Sequence, residues 1–368
     1  MNSFINTRLI RPIVSSYRKQ QIAKQMDHFD SNLDDCLRKN KVVPISDEKF
    51  SDVTSFWAKY IPVPIGKQYY SLLNFIHPTI GLDTPLHEYV SESIMFPNII
   101  RKLNPIGAVH SLSEKGMYGV LFGDINRPYE YLRVCNGTCL DNDNKQTTKE
   151  DVVKRIMVES VPVVFKHSRD SYGGHGVSVL REYDENKLIS LIDSYNDNFV
   201  IQRWVKQSTQ LSKLNETSLN TCRVITLLLN NKVSVIAHNV RVGGKGKDVD
   251  NVASGGMNVG VTDKGILTEG VQDEVFHIKK TPNGMLLEGY QIDFFAEICE
   301  FVKELHLRLP LCALAGWDIG LDSNDKPLLI EVNLNCPDVK NMQMINGPVL
   351  TSTAKISYFS YRLIINLI

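Results

Sequence analysis

The stretch from Gly316 to Asn335, GWDIGLDSNDKPLLIEVNLN, limits the fold of this chain more than any other segment. It reads as two short strands joined by a polar turn. Asn324 and Asp325 sit at the centre, and such residues tolerate the positive φ of tight hairpin turns. Folding the ribbon about that centre sets Asp318 opposite Glu331. Asn333, two residues further, projects from the same face as Glu331. These side chains interrupt apolar runs that include Trp317, Ile319, Leu328, Leu329, Ile330 and Val332. Carboxylates among apolar strands are costly unless a cation neutralises them. An all-oxygen set of Asp, Glu and Asn suits Mg²⁺, with phosphate oxygens and water completing the octahedron. The alternative is an amphipathic hairpin whose polar face is simply wet.

A chain of 368 residues accommodates two or three structural units around a core or cleft. Formal net charge is zero, so the whole chain carries no footprint for nucleic acid or an anionic membrane. Seven cysteines without a CxxC pair fit free thiols in a reducing compartment. Cys135 and Cys139 lack a second Cys/His pair and read as core or loop thiols, not zinc ligands. The N-terminus lacks a signal-peptide apolar run, and no stretch reaches the ~20 apolar residues of a membrane span. The apolar C-terminal YFSYRLIINLI is too short to cross a bilayer and reads as the end of a core helix, with a weak peripheral membrane contact as the alternative. The expected location is cytoplasmic.

Along the chain, helices are expected over Pro12–Lys41, Asp47–Tyr60 and Lys67–Phe75, giving a helical N-terminal region over 1–103. From 104 to 148, apolar pieces such as GVLF and YLRVC alternate with turns such as Asn136-Gly137, a small α/β segment. Lys115, Tyr118 and Arg127 there are candidates to face a ligand, against plain surface or packing roles. A further domain spans 149–368. It opens with a helix capped by Thr148, a strand from Pro162 to Lys166, a return strand from Val177 to Leu180, a helix over Asp184–Tyr195 and a strand over Phe199–Gln202. Strands follow at Leu219–Leu229, Lys232–Arg241 and Gly255–Val261, then a helix over Gln291–Leu307. Helices crossing antiparallel sheets make this an α+β protein with a cleft between two lobes, 149–205 and 206–368.

Three elements besides the hairpin can carry chemistry. The loop HSRDSYGGHG after Lys166 offers Gly173, Gly174 and Gly176, which let backbone amides approach an anion. Lys166 supplies a point charge, and Ser168 and His175 supply side-chain donors. This is not a Walker loop, since the lysine precedes the glycines; an ordinary hairpin is the competing reading. Arg223 lies inside an apolar strand and either pairs with a structural carboxylate or faces a phosphate, with Arg241 and Asn251 nearby. The strand end VIQRWV offers backbone to an adenine edge, with Gln202 close by and Trp204 read as a packing residue.

In this order, VVFKHSRDSYGGHGVSVL, FVIQRWV, NTCRVITL, VRVGGKGKDVDNVASGGMNVGV, GWDIGLD and LLIEVNLN, the chain resembles the ATP-grasp superfamily. It is most similar to the sugar-transfer-associated ATP-grasp proteins of polysaccharide gene clusters. EKGMYGVLFGDINRP and CNGTCLDNDN look like that group's segment before the grasp domain. The resemblance implies an ATP-grasp fold, two α+β lobes clasping ATP. Lys166 and the glycine loop would meet the phosphates, and Gln202, Arg203, Trp204 and Val205 the adenine. Asp318, Glu331 and Asn333 would hold Mg²⁺, and Arg223, Arg241 and Asn251 would face the γ-phosphate and acyl group. Gln202 stands where relatives often carry glutamate, and His175 where lysine or arginine is common. The activity implied is a carboxylate–amine ligase acting through an acyl phosphate in surface-polysaccharide assembly, with sugar-linked small molecules as substrates and assembly enzymes as partners. A small-molecule kinase and a non-catalytic partner of a glycosyltransferase are the alternatives.

Overall fold

The computed structural model describes residues 32–61, 65–80, 84–169, 176–182, 184–248, 250, 255–272 and 276–350. The chain divides into two compact units, Met1–Lys102 with Leu350–Ile368, and Leu103–Val349. In the first, residues 32–39 form α1, followed by α2 (Asp47–Trp57) and α3 (Gln68–Ile80). Ser46 caps α2 by accepting from the Lys49 amide. The earlier part of the expected Pro12–Lys41 helix and the apolar C-terminal stretch lie outside the described residues.

The second unit holds two antiparallel sheets. The smaller one has the order β2-β1-β5-β3-β4. Its strands are β1 (Glu130–Cys135), β2 (Thr138–Leu140), β3 (Val163–His167), β4 (Val177–Leu180) and β5 (Phe199–Arg203). Asn136 and Gly137, at φ 49° and 76°, close the β1–β2 turn, as an Asn-Gly pair favours. One face buries Leu132, Val134, Phe165, Phe199 and Ile201 with Val152, Ile156, Leu188 and Ile192. Those last four lie on α6 (Lys149–Glu159) and α7 (Glu185–Tyr195); α4 (Ile106–Leu112) and α5 (Tyr118–Leu121) precede the sheet. Thr148 caps α6 by accepting from the Asp151 amide. The β1–β2 hairpin, in the 104–148 segment, shares this sheet through Leu132↔Ile201 and Arg133↔Val200.

The larger sheet has the order β10-β9-β8-β7-β6-β11-β12. Its strands are β6 (Thr221–Leu229), β7 (Lys232–Val242), β8 (Met257–Val261), β9 (Leu267–Gln272), β10 (Phe276–Ile278), β11 (Leu314–Leu321) and β12 (Pro327–Asn333). The strands expected at 219–229, 232–241 and 255–261 form within two residues at each end; β9 and β10 are additional. One face packs Val224, Val240, Val259, Trp317 and Ile319 on α8 (Phe295–His306), which begins four residues later than expected. A buried relay ties helix to sheet: the Trp317 indole donates to Thr226 Oγ1 at 2.7 Å, and that oxygen lies 2.7 Å from His306 Nδ1. A last helix, α9 (Val339–Asn346), follows β12.

The β11–β12 turn differs from a two-residue hairpin centred between Asn324 and Asp325. Only Asp325 takes positive φ, at 59°. Its amide donates to the Asp322 carbonyl at 2.9 Å, so residues 322–325 form a four-residue turn whose last residue is left-handed. That loop alone would pair Asp318 with Ile330. A bulge between Asp318 and Ile319 moves the register by one and sets Asp318 opposite Glu331.

Candidate functional site

The face of the large sheet turned from α8 carries a polar stripe. Glu331, Asp318, Arg223 and Asn239 follow in register across β12, β11, β6 and β7. Thr221, Arg241 and Asn258 lie one repeat along it, and Asn333 lies beyond Glu331. Alternation along each strand produces this arrangement, because the intervening residues fill the core.

Asp318 is buried and Arg223 grips it as a fork: Nε donates to Oδ1 at 2.5 Å and Nη2 to Oδ2 at 2.8 Å. Arg241 Nη1 and Asn333 Nδ2 each reach Asp318 Oδ2 at 3.4 Å. Burial pushes the Asp318 carboxyl up, but Arg223 and then Arg241 overcome it, and the net position is below the ordinary carboxylate range. Burial likewise pulls Arg223 down, and Asp318 carries it above its ordinary value. Asp250, bonded by the Thr221 hydroxyl, is raised by burial, which Arg241 offsets only in part.

Glu331 receives the Lys115 ammonium at 2.7 Å. Lys115 comes from a single 3₁₀ turn, Lys115–Met117, whose start is held by Glu114 accepting from the Gly116 amide. The next residue, Tyr118, is buried, and its hydroxyl accepts from the Val332 amide at 2.9 Å. The Asn126 carbonyl accepts from the Leu329 amide at 2.9 Å. Segment 115–126 thus covers the outer edge of β12, where a bare strand edge would otherwise be exposed. Buried Asn104 donates to the Leu314 and Leu334 carbonyls at 2.7 and 2.6 Å, fixing the two ends of the hairpin.

Facing this stripe is β3. Lys166 sits on the face of the small sheet opposite Phe165 and its core, alongside Val200. Its ammonium makes no hydrogen bond or ion pair with any described residue. Burial, then repulsion from Lys115, lowers its pKa to about 8, against attraction from Glu331, Glu130 and Asp250. Lys166, Lys115 and Glu331 therefore share one electrostatic neighbourhood between the sheets. The Arg181 guanidinium, after β4, lies 4.8 Å from the Trp204 ring centre and pairs with Asp248 of the larger lobe.

At the β5 end, Gln202 donates weakly to Glu130 at 3.4 Å, and Glu130 is held by Arg127 and Arg133, each at 3.1 Å. The Arg203 side chain turns to the opposite face, toward Tyr131 and Glu159. The Arg203 and Trp204 amides are taken by the carbonyls of Tyr129 and Pro162. Val205 follows two residues after the end of β5. Ser168 is buried and its hydroxyl has no partner among the described residues. Gly176 has φ 70°, where a Cβ would also meet His167 at 2.5 Å. Gly173, Gly174, His175 and Asn251 lie outside the described residues.

Asp318, Glu331, Asn333, Arg223 and Arg241 thus come together, with Lys166 across from them; Trp204 follows β5 and packs its ring against Arg181. Lys115 and Asp250 join them. Lys115 is separated from Glu331 by 216 positions, so no local pattern betrays that pair. A cavity of about 600 Å³ opens beside Glu331 and Asn333. Among the described residues no helix is long and apolar enough to cross a membrane, and no cluster of three His, Cys, Asp or Glu side chains is present.

Two antiparallel sheets with crossing helices, one bearing a half-buried lysine and the other an acid-and-amide hairpin, define the ATP-grasp class. The chain belongs to the sugar-transfer associated ATP-grasp family, whose model matches residues 98–357. Among solved structures it is similar to D-alanyl-alanine synthetase A from Vibrio cholerae, at 12% identity over 71% of this chain and 65% of that one, with a TM-score of 0.39. The VanG D-Ala:D-Ser ligase from Enterococcus faecalis is 14% identical over 71% and 61%, with a TM-score of 0.38. An N5-carboxyaminoimidazole synthetase from Staphylococcus aureus, complexed with ADP, is 11% identical over 68% and 54%, with a TM-score of 0.37. The chain spans less than two thirds of the length of each. No curated protein matches the sequence.

Proposed function

We propose that this protein is a cytoplasmic ATP-dependent carboxylate–amine ligase, with surface-polysaccharide assembly as its setting. The observation that carries the reading is Lys166. A half-buried ammonium with no anionic partner among the described residues, facing an acidic hairpin, calls for a polyanion. Family membership supports ATP as that polyanion.

Asp318, Glu331 and Asn333 all carry side-chain oxygens suited to Mg²⁺, and they would hold it once Arg223 releases Asp318 and Lys115 releases Glu331, the cations that hold those carboxylates here. When bound, the metal draws negative charge from phosphate oxygens. Lys166 and Lys115 would balance the triphosphate, and Val205 would meet the base. A substrate carboxylate oxygen attacks the γ-phosphorus and ADP leaves, giving an acyl phosphate. An amine nitrogen then attacks the acyl carbon, phosphate leaves, and the amine proton passes to solvent. Arg223 and Arg241 would offset the charge that builds up on the transferred group. The step requires no protein nucleophile.

The test mixes protein, ATP and Mg²⁺ with pools of acids and amines. ADP and free phosphate should appear together only when both pools are present, and Lys166→Met should abolish both. ADP formed with an alcohol and no free phosphate would make the protein a small-molecule kinase. Tight ATP binding with no turnover in any pool would make it a non-catalytic partner of a glycosyltransferase.

A further inference from the structure

We infer that Lys115 is a latch on the metal seat: its ammonium occupies Glu331 until a nucleotide arrives, so that a divalent ion enters with the nucleotide and not before it. The inference rests on the nucleotide-and-metal part of the reading above and goes beyond it to the order of binding.

Access is not what bars an ion from the hairpin. The Glu331 side chain is 30% exposed and opens on the cavity that Asn333 also lines. The bar is occupancy. Lys115 Nζ donates to Glu331 Oε1 at 2.7 Å, and its side chain is only 11% exposed, so the ammonium is seated in the site. The carboxylate it holds is one that Mg²⁺ would need.

Lys115 is held there from behind. Its amide donates to the Ser168 carbonyl at 3.2 Å. Glu114 accepts from Arg169 Nε at 2.7 Å and from the Gly116 amide at 3.3 Å. A Cβ on Gly116 would meet Cys135 Sγ at 2.6 Å, so the turn is packed closely against the end of β1. Ser168 and Arg169 come directly after β3, the strand of Lys166. The turn is thus fastened to the lobe proposed to meet the phosphates, while its lysine reaches across to the hairpin of the other sheet.

Charge decides what opens the latch. Glu331 and Asp318 each already face a cation, Lys115 and Arg223, and Lys166 and Arg241 stand near them. A divalent ion arriving alone would have to displace two cations and would leave both beside it. A nucleotide brings negative charge, offers Lys115 a new partner and so frees Glu331. An unguarded seat would also take up Mn²⁺ or other divalent ions before any nucleotide came.

The experiment titrates the full chain with Mn²⁺, with and without ADP, and reads the paramagnetic resonance of the free ion. Without ADP, Lys115→Met should bind Mn²⁺ at least about tenfold more tightly than the parent, the scale of one charge-assisted hydrogen bond. Lys166→Met removes an equal charge but leaves Glu331 latched, and should gain less than about threefold. Adding Glu331→Gln to Lys115→Met should cancel the gain. Lys115→Gln repeats the test if methionine disturbs the turn, with the unfolding midpoint as the check on folding. A Lys115→Met protein that binds the ion no more tightly than the parent would overturn the inference. So would an equal gain in Lys166→Met, or a gain that survives Glu331→Gln. Mn²⁺ binding by the parent that ADP does not strengthen, beyond what ADP binds in solution, is read separately and removes the metal reading of the hairpin beneath the inference.

Discussion

Arg223, buried, and Lys166, half-buried, are cations on strand faces turned toward the same cleft, and they are kept in opposite conditions. Arg223 is locked in a two-pronged pair with Asp318. Lys166 has no such partner among the described residues, and burial drags its pKa down to about 8. The large sheet thus holds a polar site whose charges are already matched, and it keeps its geometry without a ligand. The small sheet holds a charge in deficit, and its geometry gains most when an anion arrives. One side preserves the shape of the site and the other supplies the drive to bind.

Breaking the matched side should cost most. Asp318→Asn leaves a buried guanidinium without its carboxylate and should lower stability by about 3–5 kcal/mol, read by denaturant unfolding. Replacing both partners, Arg223→Met with Asp318→Leu, should recover most of that stability and none of the turnover. If Asp318→Asn unfolds like the parent, the two cations are not in different conditions.

The deficit side has the reverse signature. The folded pKa of Lys166 lies below its unfolded value of 10.5, so between about pH 8 and 10.5 the unfolded chain binds more protons. Stability should therefore rise with pH across that window, by on the order of 3 kcal/mol in total. ATP prefers the charged ammonium, so its affinity should hold below pH 8 and fall above it, by up to about tenfold per pH unit. Lys166→Met should flatten both trends. Stability and affinity moving together with pH would contradict the comparison.

Shape can be tested without touching charge. A Cβ on Gly316 would meet Pro337 Cα at 2.9 Å and its carbonyl oxygen at 3.0 Å, backbone atoms that cannot swing aside. Gly316→Ala should cost about 1–3 kcal/mol and reduce kcat, by pushing the chain after β12 and Asn333 with it. The smallest effect is expected at Arg181. Its pair with Asp248 spans the two lobes but is half exposed, so Arg181→Ala should change stability by less than about 1 kcal/mol. It should raise KM for ATP two- to threefold, about the effect of one exposed pair, and added salt should erase that difference.

The hairpin shows how far sequence reading reaches. Asp318 does face Glu331, but through two departures that cancel: a longer turn displaces the register and a bulge restores it. Neither is visible in residue types alone. Strands with strong alternation, such as β6 and β7, were legible to within two residues. β9 was not, because LTEGVQ lacks a run of apolar residues, and β10 has only three residues. The β1–β2 hairpin read as a separate segment because pairing with β5 joins residues about seventy positions apart. The same distance hides Asn104, Lys115 and Tyr118, whose roles lie more than two hundred positions along the chain.

The cover on β12 also decides how this protein can be cut. A shortened form beginning at residue 149 would keep every residue of both proposed lobes but lose Tyr118 and Asn126. The strand carrying two of the three proposed metal donors would then lie open along one side, ready to pair with the same strand of another molecule. Such a fragment should come out of expression as aggregates, and adding residues 104–148 back, tethered or separate, should keep it in solution.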